Sequence, residues 1–346
     1  MVLLLRCIYQ SLKWQVLFNK SSLKNEKELN VPFFIFIDKL FNISCEKLFD
    51  KYYNLSYLIN TFIKGNIMWS AIVGDIIGST FEVENHRSPF FELYRKDARF
   101  TDDTICTVAV ADILLTMAES PPVEEGSPNQ YLNHDWISKK MRIWCCTYLT
   151  RGFGSMFYQW IANGVNKPYY SYGNGALMRI SPVAYFGVKN NWDLDKTIQI
   201  ALEITDITHN HPDARKAVTC YITILFNLLK NKMDIIQSKI FILEALKKFG
   251  YPLPERIEKY RLTLEFDLTC ETSLLVACAG VVEAESYEEI FTSVVSAGGD
   301  SDTYCAIAGP IGEAIWGIGQ NHLESIEPYF RAYDIDLLNV MKKMYN

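Results

Sequence analysis

The chain has 346 residues, of which 49% are hydrophobic and 21% charged, a composition typical of a soluble globular protein with a sizeable core. Its formal net charge is −6 and it contains no long basic run, which argues against a nucleic-acid partner. No stretch reaches the roughly 18 consecutive apolar residues that a membrane-spanning helix needs, so no membrane partner is expected. The nine cysteines include no CxxC pair, which indicates free thiols and a cytoplasmic protein.

The first 67 residues differ in composition from the rest of the chain. They carry nine Lys and Arg against five Asp and Glu, a net charge of +4, whereas the remaining residues carry 25 against 35, a net charge of −10. Two interpretations stay open for residues 1–67. They form an additional, partly ordered helical arm, or they result from an upstream start and the working domain begins at Met68. Under both, we expect the function to lie in residues 68–346.

From Met68 onward the apolar spacing is mainly helical. In "WSAIVGDIIGSTFE", Ile72, Val73, Ile76 and Ile77 fall on one helix face, and "TICTVAVADILLTMAE" is apolar enough for a buried helix. Clusters rich in Gly, Ser, Tyr and Asn at 150–156 and 168–175 mark loops. Strand-like alternation is almost absent, so we predict a single all-α domain over residues 68–346. A helix after residue 303 should be kinked at Pro310, which removes a backbone donor.

Two acidic motifs each precede an apolar run. They are T-D-D-T at 101–104 and D-S-D-T at 300–303. Helix capping is the simplest explanation, because Asp and Thr satisfy the first amides of a helix. Capping uses one carboxylate, however, and a second one beside it costs repulsion and desolvation. We therefore favour a site for hard divalent cations, for which carboxylate and hydroxyl oxygens are the usual ligands.

Two glycine-rich loops and a histidine pair lie between the acidic motifs. "RGFGSMF" (151–157) and "SYGNGALMRISP" (171–182) can present backbone amides to a phosphate, although short glycine turns are more often only turns. "DITHNHPDA" places His209 and His211 two positions apart. Such a pair is more often structural than part of a site.

Taken in order, these segments resemble the ADP-ribosylglycohydrolase family. The matching stretches are "GDIIGSTFE" (74–82), "FTDDT" (100–104), "RGFGSMF", "SYGNGALMRISP", "THNHP" (208–212) and "GGDSDT" (298–303). The resemblance covers about residues 68–346. It implies an all-α, orthogonally packed helical bundle with a metal-lined central cleft that holds two Mg²⁺, with Mn²⁺ as the alternative.

The resemblance also implies residue roles. The metal-ligand positions fall on Thr101, Asp102, Asp103, Asp300, Asp302, Thr303 and Glu82. The ADP-ribose contacts fall on Gly152, Gly154, Ser171, Tyr172, Gly173, Asn174 and His209. The catalytic positions are Asp302, Glu82 and Asp103, with Asp302 slightly favoured over Glu82 as the general base.

The expected activity is metal-dependent hydrolysis of the glycosidic bond between ADP-ribose and a protein side chain or small acceptor, which reverses mono-ADP-ribosylation. The expected transition state has oxocarbenium character. The alternative is a non-catalytic ADP-ribose-binding, regulatory or structural member of the same fold. The expected partner is an ADP-ribosylated protein or conjugate, and we expect a monomer.

Overall fold

The computed structural model describes residues 69–119, 133–164, 166–331 and 334–345. Both interpretations of residues 1–67 therefore concern residues outside the described part of the chain. Within that part the secondary structure is helical, and a single isolated antiparallel bridge joins Gly173 and Thr269. The predicted all-α fold is confirmed.

Fifteen α-helices lie in the described residues. Their bounds are α1 Ser70–Gly78, α2 Phe81–Glu84, α3 Asp102–Glu119, α4 His134–Thr147, α5 Ser155–Asn163, α6 Ser181–Lys189, α7 Leu194–Asp206, α8 Pro212–Asn231, α9 Ile235–Lys248, α10 Ile257–Thr263, α11 Cys270–Glu283, α12 Tyr287–Ser296, α13 Ser301–Trp316, α14 Gln320–Ile326 and α15 Ile335–Tyr345. Short 3₁₀ turns occur at Asn174–Ala176 and Glu327–Tyr329. None of these helices is long and apolar enough to cross a membrane.

The centre of the fold is the pair α1 and α13, whose backbones touch through glycine. A Cβ atom at Gly74 would lie 2.2 Å from the carbonyl oxygen of Cys305, and one at Gly309 would lie 2.2 Å from that of Ser70. At Gly78 a Cβ would lie 2.4 Å from the Cα of Asp302. Small residues four positions apart on α1 therefore let the two helices approach closely and bring the D-S-D-T motif against α1.

Helix α13 continues through the predicted kink position. Pro310 lies inside Ser301–Trp316, and Tyr221 Oη donates to the carbonyl of Ile307, close before it. The residue is buried among neighbouring helices. Proline has no amide hydrogen, so Pro310 makes no intrahelical hydrogen bond of its own. The packing of α1, α11 and α12 against α13 keeps the helix continuous at this residue.

Two left-handed glycines set the start of α13. Gly298 and Gly299 have φ angles of 77° and 76°, a backbone conformation that residues with a Cβ atom rarely adopt. A Cβ at Gly298 would also lie 2.4 Å from Nε of Arg87. The turn needs glycine at this point, and it directs Asp300 and Asp302 toward α1 and α3.

Candidate metal centre and cleft

The first amides of α3 are capped by a carboxylate from another helix. Asp75 of α1 accepts hydrogen bonds from the backbone amide of Thr101 at 2.8 Å and from that of Thr104 at 3.0 Å. It also accepts from the hydroxyl of Thr101 at 2.7 Å and from that of Thr104. Because Asp75 satisfies these donors, Asp102 and Asp103 are not needed as caps.

The capping explanation also fails at the second motif. Asp300 occupies the N-cap position of α13, but its side chain makes no capping hydrogen bond. It accepts instead from Asn174 Nδ2 at 2.5 Å. Both acidic motifs thus carry carboxylates that local helix capping does not explain.

The fold gathers these carboxylates into two groups that share one member. Ligand atoms of Asp75, Asp103 and Asp302 lie within 4.8 Å of one another, and so do those of Glu82, Asp300 and Asp302. We call these sets the inner triplet and the outer triplet. Asp302 belongs to both, so the two sites adjoin. The two motifs, almost 200 residues apart in sequence, meet as the metal-site hypothesis requires.

Burial and mutual repulsion act on the protonation of the cluster. Burial, and next the nearby carboxylate of Asp75, raise the pKa of Asp102 and of Asp103 well above its ordinary range. Burial, and next the charge of Asp300, raise the pKa of Asp302 well above its ordinary range. The same two causes raise the pKa of Glu82. The pKa of Asp300 is also raised by burial, against the lowering effect of its hydrogen bonds. Such a group of carboxylates favours a bound cation.

The threonines of the motifs lie beside Asp103. Thr101 Oγ1 and Thr303 Oγ1 each lie 3.3 Å from Asp103 Oδ2. The other carboxylate oxygen of Asp103, Oδ1, is buried and makes no hydrogen bond with the described residues. An unpartnered buried carboxylate oxygen is costly unless a cation or water satisfies it.

Asp102 lies at the edge of the cluster. It belongs to neither triplet, it is only half-buried, and its amide donates to the carbonyl of Arg151 at 2.9 Å. Its Oδ1 would lie 3.0 Å from a Cβ at Gly152, which has a φ of 104°. The loop "RGFG" is therefore attached directly to the first acidic motif, and a ligand role for Asp102 stays a prediction.

The second glycine loop adjoins Asp300. Asn174 joins them, because its Nδ2 contacts both Asp300 and Ser273 Oγ. Its own amide donates to the carbonyl of Leu268 at 2.8 Å, and the amide of Cys270 donates to the carbonyl of Tyr172 at 3.0 Å. The start of α11 thus fixes the loop in place.

Most of the other residues that were predicted to contact ADP-ribose lie in this loop or against it. Ser171 Oγ accepts from the amide of Gly173 at 3.1 Å, and Tyr172 is 52% exposed. His209 is buried with its Nε2 edge against Gly173 and Gly175. Gly154, in contrast, has nothing within 4 Å of a Cβ position, so no close approach within the protein requires glycine there.

A surface cavity of about 580 Å³ opens beside the loop. Its lining includes Tyr170, Tyr172, Phe266 and Met156, all more than half exposed. His211, the other histidine of the pair, packs against the rings of the two tyrosines and caps α8 by accepting from the amide of Asp213. His211 is therefore structural, as the residue pattern had favoured.

One member of the cluster was missed from the sequence. Asp75 lies within the quoted stretch "GDIIGSTFE", but it was not singled out as a site residue. An aspartate in the middle of an otherwise apolar helix was the available signal, because a buried carboxylate needs partners.

The described residues thus form an all-α protein in which two adjoining carboxylate triplets, which could hold metal ions, lie beside two glycine loops. The family model of the ADP-ribosylglycohydrolases matches residues 65–328, and the chain belongs to this family. The resemblance inferred from the sequence is thereby confirmed.

Solved structures show the same fold. One, described as an "ADP-ribosylglycohydrolase-related protein complex", superposes with a TM-score of 0.55 at 18% sequence identity. The match covers 81% of this chain and 96% of that one. A search of curated proteins gave no match.

Proposed function

We propose that the chain is a metal-dependent hydrolase that cleaves the glycosidic bond between ADP-ribose and a protein side chain or small acceptor, and so reverses mono-ADP-ribosylation. The observation that carries the proposal is the pair of carboxylate triplets that share Asp302 beside two glycine loops. Family membership supports the glycohydrolase class.

The donor set fits two divalent cations. All the side-chain donors are oxygens, as Mg²⁺ or Mn²⁺ prefers, and Asp103 Oδ1 is a buried oxygen without a partner among the described residues. The inner triplet would hold one ion and the outer triplet the other, with Thr101, Thr303 and Asp102 beside them. Such ions polarise substrate oxygens and lower the pKa of water.

The chain's own residues would orient the substrate. The loops 152–154 and 171–174 offer backbone amides to a pyrophosphate, and the cavity with Tyr170 and Tyr172 offers aromatic faces. The ribose would then lie beside the carboxylate cluster, next to Asn174, which is itself hydrogen-bonded to Asp300. In this arrangement Gly152, Gly154, Ser171, Tyr172, Gly173, Asn174 and His209 are the ADP-ribose contacts.

Glu82 is the carboxylate that we propose for accepting the proton of the attacking water. Asp302 was slightly favoured from the sequence, but its membership of both triplets commits it to holding cations. Glu82 belongs to one triplet and is only half-buried. Burial raises its pKa toward the range in which a carboxylate serves as a general base.

The wider assignments follow from this proposal. We place the working domain at residues 68–346, because α15 packs against α3 and extends beyond the matched segment. The seven cysteines of the described residues are free thiols, which supports a cytoplasmic protein. We propose that it acts as a monomer on an ADP-ribosylated protein or conjugate.

A hydrolase panel tests the proposal. Arginine-, serine- and acetyl-linked ADP-ribose are incubated with the full chain, with Mg²⁺, Mn²⁺ or a chelator, and released ADP-ribose is measured. We expect release that requires the metal and is lost in Asp302→Asn but kept in Asp112→Asn, a carboxylate of α3 paired with Lys140 outside the cluster. Binding of ADP-ribose without release from any conjugate would instead establish the non-catalytic alternative.

A further inference from the structure

A fully buried arginine lies behind His209. Arg179 follows the loop that carries Asn174, and its side chain has no exposed surface. Its Nη2 donates to Thr208 Oγ1 at 2.7 Å and lies 3.5 Å from His209 Nδ1. No carboxylate in the described part of the chain forms an ion pair with it. A buried cation without such a partner is costly, so its presence calls for a structural or functional reason.

The hydrogen bonds of Thr208 determine where the imidazole proton lies. Arginine is only a donor, so Thr208 Oγ1 must accept from Arg179. The same oxygen lies 2.8 Å from His209 Nδ1, and the described residues offer its hydroxyl hydrogen no other acceptor. The hydroxyl therefore donates to Nδ1, which must be unprotonated. The nearby guanidinium also disfavours a hydrogen on Nδ1.

The opposite edge of the ring faces the glycine loop at 171–175. His209 Nε2 would lie 3.1 Å from a Cβ at Gly175 and 3.8 Å from one at Gly173, so it lies against the loop that also presents Asn174 to Asp300. With Nδ1 unprotonated, the neutral ring carries its hydrogen on Nε2. Nε2 has no protein acceptor among the described residues, so its hydrogen is available to a ligand oxygen.

We propose that Arg179 is a positioning residue that acts through Thr208 to fix His209 as an Nε2–H donor toward an oxygen of the bound ADP-ribose. Recognition of ADP-ribose by this donor rests on the proposed function, whereas the tautomer does not. Burial and then Arg179 lower the pKa of His209 well below its ordinary value, which agrees with a neutral ring. The glycines at 173 and 175 leave room for this ring edge.

Nitrogen NMR of the full chain labelled with ¹⁵N-histidine tests the tautomer directly. Long-range ¹H–¹⁵N correlations distinguish a protonated from an unprotonated ring nitrogen, and His209→Gln assigns the signal among the five histidines. We expect the Nε2–H form in the wild type and a loss of that single form in Thr208→Val and Arg179→Met. A wild-type ring protonated on Nδ1, or on both nitrogens at pH 7, would overturn the inference.

Calorimetry with ADP-ribose in Mg²⁺ tests the consequence. Losing one well-oriented hydrogen bond should weaken binding about tenfold in Thr208→Val and Arg179→Met, and Arg179→Lys should recover part of it. In turnover the loss should appear in KM rather than kcat. Thr205→Val is the matched control, since it also removes a buried hydroxyl, one bonded to Ala201 within α7.

The outcomes separate this inference from the proposed function. Valine has nearly the same shape as threonine, and Thr208→Val leaves Arg179 in place. This variant therefore tests the role of the Thr208 hydroxyl even where Arg179→Met fails to fold. Unchanged affinity in a folded Thr208→Val would overturn the inference, as would a wild type that does not bind ADP-ribose. A wild type that binds ADP-ribose with the expected tautomer but releases none from any conjugate would refute the hydrolase proposal alone.

Discussion

Thr303 Oγ1 donates a hydrogen bond to Asp103 Oδ2 at 3.3 Å, across 200 positions of sequence. The contact joins the starts of α3 and α13, so the two acidic motifs form one carboxylate cluster. It exists because α13 packs on α1 through glycines, while Asp75 of α1 caps α3. The carboxylates are thus held by backbone contacts and capping hydrogen bonds rather than by flexible loops.

The shared position of Asp302 predicts a graded loss of metal. The wild type should bind two Mn²⁺, whereas Asp302→Asn should weaken both sites by at least about 100-fold, beyond the usual effect of losing a residue that only supports a ligand. Asp103→Asn and Asp300→Asn should each remove one site, because each belongs to one triplet. Electron paramagnetic resonance titration measures the stoichiometry, with Asp112→Asn as control. Two tight ions in Asp302→Asn would refute the shared-ligand arrangement.

The same substitution should have opposite effects on stability with and without metal. In a chelator, Asp302→Asn should raise Tm, because it removes one of several buried like charges. In the wild type, Mg²⁺ at 100 times its Kd should add about 2.7 kcal/mol per bound ion to the free energy of unfolding, and most of this gain should be lost in the variant. Thermal melts with chelator and with Mg²⁺ measure both effects. A lower Tm of the metal-free variant would contradict the repulsion argument.

Gly78→Ala tests the contact that brings α13 to α1. Its Cβ would lie 2.4 Å from both the Cα of Asp302 and the carbonyl oxygen of Ser301, and neither backbone atom can move cheaply. We expect a loss of about 1–3 kcal/mol in the free energy of unfolding and weaker binding of metal. Urea denaturation measures the first. Gly154→Ala is the control, since its Cβ would meet nothing within 4 Å; equal losses in both variants would remove the packing argument.

Much of this architecture was predictable from periodicity and turn residues. The all-α fold, the helices that follow the two motifs and the loop at 168–175 follow from patterns within short segments. Asp75 was not predicted as a site residue, because its role depends on Thr101 and Thr104 reaching it from 26 and 29 residues away. The division into inner and outer triplets likewise depends on how closely the glycines let α1 and α13 approach.

Arg179 illustrates a second limit of sequence reasoning. It stands inside a stretch that was recognised as a loop motif, but an arginine there is equally compatible with a surface position. Only its complete burial and its contacts with Thr208 and His209 reveal a role behind the histidine. Such a role depends on which side chains contact one another in the folded protein, and the spacing of residues along the sequence does not show these contacts.

We expect the Arg87 side chain to attach the segment that follows Glu82 to the glycine turn that precedes Asp300. Its Nη1 donates to the carbonyls of Tyr260, Arg261 and Ala297, the last at 2.7 Å, and its Nη2 to that of Leu264 at 2.6 Å. Arg87→Met removes the guanidinium donor from all four carbonyls, although that of Tyr260 keeps the amide of Leu264. We therefore expect a loss of about 1.5–3 kcal/mol in unfolding free energy.

Hydrogen exchange locates the effect of Arg87→Met. The amide of Gly299, which donates to Asn85 Oδ1 at 3.0 Å, should exchange faster in the variant. Arg95→Met is the control, because Arg95 pairs at the surface with Glu84 and Asp97, where ion pairs contribute little. Unchanged exchange at Gly299 would mean that Arg87 does not fix this turn.

The burial of Glu313 predicts a pH dependence of stability that is separate from the candidate metal site. Its Oε2 accepts from the amide of Ser70 at 2.9 Å, and burial raises its pKa from 4.5 to about 8. Because the folded-state pKa lies above the unfolded value, its contribution to stability is complete below pH 4.5 and is lost as the pH rises through about 8. The loss cannot exceed about 1.4 kcal/mol per pH unit.

Glu313→Gln keeps the acceptor oxygen for Ser70 but cannot ionise. In a chelator, where the metal-site carboxylates act equally in both proteins, the variant should lose less stability than the wild type between pH 5 and about pH 9. Urea denaturation across this range measures the difference, and Glu324→Gln, at an exposed glutamate of α14, controls for removing an acidic residue. Parallel stability curves for wild type and Glu313→Gln would show that Glu313 ionises in the folded protein as it does in the unfolded chain.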